Sequence, residues 1–105
     1  MLERCGIILD SGEAVEVKNI HPDPENCFQI AVEELDRNDV VGTFHTHPST
    51  GPNLSVADYW AFRSYPDLRH YIVSKSGLWC FKVSDGTLCR YENPTLPRFP
   101  QGLLP

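Results

Sequence analysis

Basic residues are scarce in this chain. Nine Lys plus Arg stand against fourteen Asp plus Glu in 105 residues, a net charge of -5. The nine are scattered and form no stripe, so nucleic acid is not expected as a partner. Long apolar runs are lacking too. None approaches the ~18 residues that a membrane span needs, and no membrane partner is expected. The opening MLERCGIILD has no basic stretch leading into a long apolar one, so it does not read as a secretory signal. None of the four cysteines stands in a C-x-x-C pair, which disfavours a cysteine zinc knuckle. Cys80 and Cys89 flank a hairpin turn expected at Asp85-Gly86. With those two at the tip, Cys89 lies opposite Lys82 and diagonal to Cys80. Diagonal neighbours are roughly 7–8 Å apart, long for a disulfide. All four are read as reduced thiols, most of them small core residues, as in a reducing cytoplasm.

What is present suits one globular domain. Hydrophobic residues make up 41% and charged residues 22%, and the length can enclose one modest core. Residues 4–9 and 13–20 read as two strands joined by the turn DSG. HPDPEN, 21–26, is a loop. CFQIAVEELDRN divides into a short strand at 27–30 and a helix of about two turns ending near Asn38. DVVGTFHTH reads as a buried strand and PSTGPN, 48–53, as loop. SVADYWAFRSY, 55–65, reads as a helix that Pro66 ends, with Val56, Tyr59, Trp60 and Phe62 supplying an apolar face. RHYIVSKS, LWCFKVS and TLCRYE read as strands, the last two pairing. In that hairpin Trp79, Phe81, Val83 and Leu88 share one face, which should pack on the core. The last twelve residues hold four of the nine prolines. They read as a linker or an extended tail, so the domain is expected to occupy 1–93 and the tail 94–105.

The chemistry concentrates in GTFHTHPSTGPNLSVAD, 42–58. Side chains alternate along a strand, so His45 and His47 point the same way, with Thr46 opposite. Asp58 follows His47 by eleven residues, in the first turn of a helix that Ser55 caps in an S-x-x-D box. That loop length lets the helix start fold back onto the strand end. Two nitrogens and one carboxylate would then converge on a cation. Two histidines plus a carboxylate, with a fourth position left to water, is the donor set of a catalytic zinc site. Hydrolysis there needs a nearby general base, and Ser55 can supply a hydroxyl to an oxyanion. Taken singly, H-x-H in a strand and S-x-x-D at a helix start are ordinary structural features. Their order, with Pro48 and a loop containing Gly51 between them, favours the metal site.

H-x-H-P, seven intervening residues, then S-x-x-D resembles the JAMM (MPN-plus) metalloprotease family. His45-Thr46-His47-Pro48 and Ser55-Val56-Ala57-Asp58 fit without a gap. Glu3-Arg4-Cys5-Gly6-Ile7-Ile8 matches the family's first strand with its glutamate, and the likeness covers roughly 3–92. The resemblance implies an α/β fold: a single compact, cytidine-deaminase-like domain with a mixed β-sheet flanked by helices. It implies a zinc-dependent peptidase or isopeptidase. His45, His47 and Asp58 would hold Zn2+, Glu3 would be the general base toward a zinc-activated water, and Ser55 would steady the oxyanion. The substrate would be a protein or peptide, ubiquitin-like with an extended C-terminal tail lying beside a sheet edge. One branch is most similar: the JAMM domain of lambda-type phage tail assembly proteins, through the N-I-x-x-x-P stretch at Asn19 to Pro24, F-x-I at Phe28 to Ile30, and L-S-x-A-D. That branch implies a following cell-wall peptidase domain and phage tail proteins as partners. It places the chain in the cytoplasm of a bacterium or phage-infected cell, or in the virion tail. The family usually has a helix ahead of the glutamate, whereas Glu3 is the third residue here.

The alternative is a non-catalytic zinc-bearing scaffold in a tail assembly. A zinc deaminase is excluded by the lack of H-x-E followed by P-C-x-x-C. Cys5 reads as a small buried residue, His21 and His70 as partly exposed histidines outside the zinc set, and Trp60 and Trp79 as core.

Overall fold

Among the described residues, eight short elements build one sheet and two helices. A computed structural model describes residues 3–47, 54–75, 77–92 and 94–103; the loop expected at 48–53, with Pro48 and Gly51, lies outside the described residues. The strands are β1 (Cys5–Leu9), β2 (Ala14–Val17), β3 (Val40–Thr46), β4 (Arg69–Ser74), β5 (Gly77–Ser84) and β6 (Thr87–Tyr91); the helices are α1 (Val32–Leu35) and α2 (Val56–Ser64). The sheet order is β2-β1-β3-β4-β5-β6. Among the described strands only β3 and β4 pair parallel, and α2 makes the crossover between them. The other pairings are antiparallel. The radius of gyration is 12.5 Å, close to the ~13 Å of a single packed domain of this length. Strand dominates and helix is scarce. Among the described residues no helix is long and apolar enough to cross a membrane.

The strands follow their sequence signals. Asp85 and Gly86 take positive φ of 51° and 78° at the tip of the β5–β6 turn, the backbone that Asp-Gly favours. Lys82 faces Cys89 and Val83 faces Leu88, the register expected from that tip. Gly6 sits opposite Phe44, and a Cβ there would run into the Phe44 ring and the Val15 carbonyl. Only glycine lets those strands lie this close.

Each sheet face has its own cover. On one face α2 lays Phe62 against Ile72 and Phe81, with Trp79 and Leu88 at the margin. Beside it Cys5, Ile7, Ile30 and Val40 form a second cluster, and Phe28 touches both. On the other face Phe44, Tyr71, Val73 and Cys80 pack with Leu103. The proline-rich segment read as linker or tail supplies that cover. Arg98 exchanges backbone bonds with Gly12 and Ala14 (2.8 and 3.0 Å), and Thr95 accepts from the Tyr71 hydroxyl at 2.8 Å. Phe99 meets Phe44 edge-on at 5.4 Å. Prolines keep the segment extended, and its apolar residues fill the groove.

Several sequence expectations need correction. Residues 27–30 form no strand. Their backbone groups are taken locally: Gln29 N–H donates to Asn19 Oδ1, Ile20 N–H to the Gln29 carbonyl, and Cys27 N–H to the Asp23 carbonyl. Phe28 and Ile30 still turn inward, so their alternation reports burial and not sheet pairing. The helix expected to reach Asn38 is one turn, with no side-chain cap and no fully buried residue. Neither propensity nor packing extends it. The second strand stops at Val17, and Ile20 is exposed. On α2 the buried pair is Asp58 and Phe62, while Val56 and Trp60 are 74% and 59% exposed. Trp60 is thus not core; the Arg63 guanidinium lies 5.8 Å from its ring. Of the cysteines, Cys5 and Cys80 are buried, Cys27 is half-buried and Cys89 is exposed; all four are free.

His70 is also corrected, from partly exposed to buried. Thr43 Oγ1 meets its Nδ1 at 2.8 Å, its Nε2 meets the Tyr65 carbonyl at 3.0 Å, and Phe62 stacks on the ring. The carbonyl accepts, so Nε2 carries the hydrogen and Nδ1 accepts from Thr43. Burial pushes its pKa down from 6.5 to about 4. The neutral ring therefore stabilises the fold fully above pH 6.5, and this contribution is lost as pH falls from 6.5 to 4, about 3 kcal/mol in all. Urea unfolding at pH 7 and pH 4 should show the parent losing about 3 kcal/mol more than His70→Gln over that range. Equal losses would contradict this role for His70.

Candidate metal centre

Strand β3 lies inside the sheet, antiparallel to β1 on one side and parallel to β4 on the other. Its carboxyl end is a place where an open sheet leaves room for a ligand. Alternation sends Thr43, His45 and His47 to the α2 face and Phe44 to the other. His47 stands one residue past the strand and is still tied to it, its N–H donating to the Val73 carbonyl at 2.8 Å.

Helix α2 brings the carboxylate. Ser55 is its N-cap. Ser55 Oγ accepts from the Asp58 N–H at 3.0 Å, and Asp58 Oδ2 accepts from the Ser55 N–H at 3.3 Å. This reciprocal box fixes the Asp58 side chain as well as the helix start. The same Oδ2 stands 3.2 Å from His47 Nε2 and 3.6 Å from His45 Nε2. Ligands around a tetrahedral zinc, bound at ~2.0–2.2 Å, are about 3.3–3.5 Å from one another. The two contacts bracket that spacing, and the shorter is also within hydrogen-bond range.

His45 is the most constrained group here. It is fully buried, with Phe28 stacked on its ring at 4.0 Å and 16°. Neither of its nitrogens has a hydrogen-bond partner among the described residues. A contact of 3.6 Å to Asp58 is too long for a hydrogen bond. Leaving such nitrogens dry is costly. Burial also disfavours the imidazolium and lowers the pKa of His45, so the ring is neutral and keeps a lone pair to offer a cation. An unpartnered nitrogen facing a second imidazole and a carboxylate fits a metal ligand.

Glu3 closes the site. One donor atom each from Glu3, His45 and His47 lie within 4.8 Å of one another, a group that could hold a metal ion. Glu3 is 7% exposed. Its N–H donates to the Pro24 carbonyl at 2.7 Å, and its carbonyl accepts from Asn19 Nδ2 at 2.9 Å. Burial first, then the charge of Asp58, pushes its pKa up. Asp58 moves the opposite way. Burial raises it, but the His45 and His47 imidazoles and the Ser55 N–H overcome that and hold the carboxyl well below its usual range. Two nearby carboxyls pushed in opposite directions are suited to different tasks, one staying ionised and one taking up protons.

All four buried or half-buried site residues named from sequence, Glu3, His45, His47 and Asp58, are therefore assembled, and Ser55 caps the same helix from an exposed position. His21 plays another part: its Nδ1 accepts from the Asp23 N–H at 2.9 Å. Sequence reasoning missed two supports. Asn19 donates to the carbonyls of Glu3, Pro24 and Cys27 and accepts from the His21 and Gln29 N–H groups. Its signal was an Asn two residues ahead of the HPDPEN loop, where Asx side chains bind backbone. Phe28 had no signal beyond being apolar, because ring stacking on His45 is a tertiary event. No known family model matches the chain, and no curated protein matches it.

The Asn19 cluster holds the backbone of Glu3 through its carbonyl. Asn19→Ala should lower the unfolding free energy by about 2–3 kcal/mol, from several backbone groups left unpaired, and leave metal content per chain unchanged. Denaturant unfolding with elemental analysis checks both. Loss of the metal with no loss of stability would reverse the assignment.

Proposed function

We propose that this chain is a JAMM-type, cytidine-deaminase-like zinc metallopeptidase or isopeptidase that hydrolyses a peptide or isopeptide bond. The observation that carries this reading is the buried, unpartnered His45 facing His47 and Asp58, beside the raised carboxyl of Glu3. His45, His47 and Asp58 are the proposed zinc ligands. Zinc held there supplies Lewis-acid polarisation of a carbonyl and acidifies water. Glu3, with its proton affinity raised by burial, takes a proton from the attacking water and delivers it to the leaving nitrogen. The Asn19 cluster fixes the backbone of Glu3, from which that carboxyl extends. The cap uses a lone pair of Ser55 Oγ, which leaves the O–H to donate to a developing oxyanion. Asp58 remains an anion throughout, oriented by the Ser55 N–H.

The substrate class that goes with this reading is a protein or peptide with an extended tail, ubiquitin-like or part of a phage tail assembly. A second reading is a zinc-bearing scaffold. The exposed Val56 and Trp60 on α2, the helix that carries Asp58, favour a protein contact there. Glu3→Gln separates the two. In the peptidase reading the variant keeps its zinc and loses about a hundredfold or more in hydrolysis of a ubiquitin-like fusion or a mixed peptide library. Zinc retained with hydrolysis undiminished removes Glu3 as the base; a zinc-loaded parent with no hydrolysis in either assay favours the scaffold.

A further inference from the structure

A second concavity adjoins the metal centre. It is a cavity of about 230 Å³ between α1 and α2. Because α1 is only one turn long, it does not fill the space over the sheet. Thr43 and His70 lie at the floor, and the exposed Val32 and Ala61 stand at opposite rims. Two of its walls are shared with the centre. Phe28 lines the cavity and stacks on His45 at 4.0 Å; Phe62 lines it and approaches His45 at 5.9 Å. A group in the cavity is thus about one ring thickness from a proposed zinc ligand.

The lining dictates what can sit there. It contains no charged side chain. Its polar floor is already consumed, since Thr43 donates to His70 Nδ1 and His70 Nε2 donates to the Tyr65 carbonyl. Gln29 and Tyr65 are the other lining residues with polar side-chain atoms and both are neutral, so a charged occupant would lose water and meet no opposite charge. Aliphatic and aromatic walls reward an apolar one. A dry cavity of about 150 Å³ lined by such residues holds benzene, and this one is larger.

We propose that the cavity between α1 and α2 is the specificity pocket of the site and takes one bulky apolar side chain, leucine- or phenylalanine-like, from the peptide substrate. Because the cavity shares Phe28 and Phe62 with His45, that side chain would lie near the bond that is cut. The occupant as substrate rests on the peptidase reading; the preference of the cavity for an apolar side chain does not.

The test separates those two parts. N-acetyl-leucinamide, N-acetyl-phenylalaninamide and N-acetyl-glycinamide are titrated into the whole chain and followed by NMR at the Ile30, Val32 and Ala61 methyls. The expected result is saturable shifts with the leucine and phenylalanine compounds and none with glycine. Ala61→Trp, which plugs the cavity from an exposed position on α2, should weaken that binding about tenfold or more. Val32→Trp does the same from the opposite rim, should Ala61→Trp fail to fold. No saturable shifts, or shifts that both plugs leave intact, overturn the proposal. Hydrolysis of a mixed peptide library by the zinc-loaded protein then reads the substrate part. Cleavage favouring leucine or phenylalanine near the cut, lost in the plugged variants, supports it; cleavage indifferent to both overturns the pocket and leaves the peptidase reading standing. Apolar binding with no cleavage overturns the substrate role alone.

Discussion

An imidazole fully out of water with both nitrogens unpartnered is expensive to keep, about 1–3 kcal/mol for each polar group left dry. Among the described residues His45 is such a group, and the elements around it hold it there. Its strand is interior, so the backbone on both sides is fixed by β1 and β4. Phe28 lies flat on its ring and prevents rotation toward solvent. A capping box aims the Asp58 carboxylate at the space in front of it. A fold that carries this cost without a ligand would gain stability by replacing the histidine with an apolar residue. A cation bound to His45, His47 and a carboxylate converts the cost into the main attraction at the site.

The surrounding architecture follows from the need for a rigid strand end. The parallel β3–α2–β4 unit brings a helix start back over the end of β3, which is how Asp58 reaches histidines eleven and thirteen residues earlier. On the far face the Arg98–Leu103 stretch packs against Phe44 and Tyr71, so the sheet is covered on both sides with little helix. Glu3 comes from the opposite direction in sequence. It is held through Asn19, whose side chain binds five backbone groups of the 3–29 region. The result is one ionised carboxylate, one protonatable carboxyl and two imidazoles around a common space, with an apolar cavity against the same aromatic walls.

The histidine pair, the capping box and the Asp-Gly hairpin were legible in the sequence because each depends on local geometry: strand alternation, a four-residue cap and a two-residue turn. Glu3 came from resemblance, and no local pattern marks it. What escaped reading was decided by distant contacts. Phe28 and Ile30 alternate like strand residues, yet Asn19 has taken the backbone bond that a strand would need. Trp60 is large and apolar but falls on the side of α2 away from the sheet. His70 looked like a strand-end histidine and is a buried, doubly bonded one, because Thr43 and Tyr65 converge on it from separate elements. The proline-rich end has the composition of a linker, and its Phe99 and Leu103 find the sheet face only once that face exists.

The proposed centre stands or falls with His45 as a metal ligand. The most direct measurement is zinc per chain by elemental analysis after dialysis against metal-free buffer, paired with the unfolding temperature with and without added zinc. A ligand role for His45 requires about one zinc per chain, a raised unfolding temperature when it is bound, and loss of both in His45→Phe. A chain that binds no zinc after reconstitution, with an unfolding temperature indifferent to the metal, would contradict it.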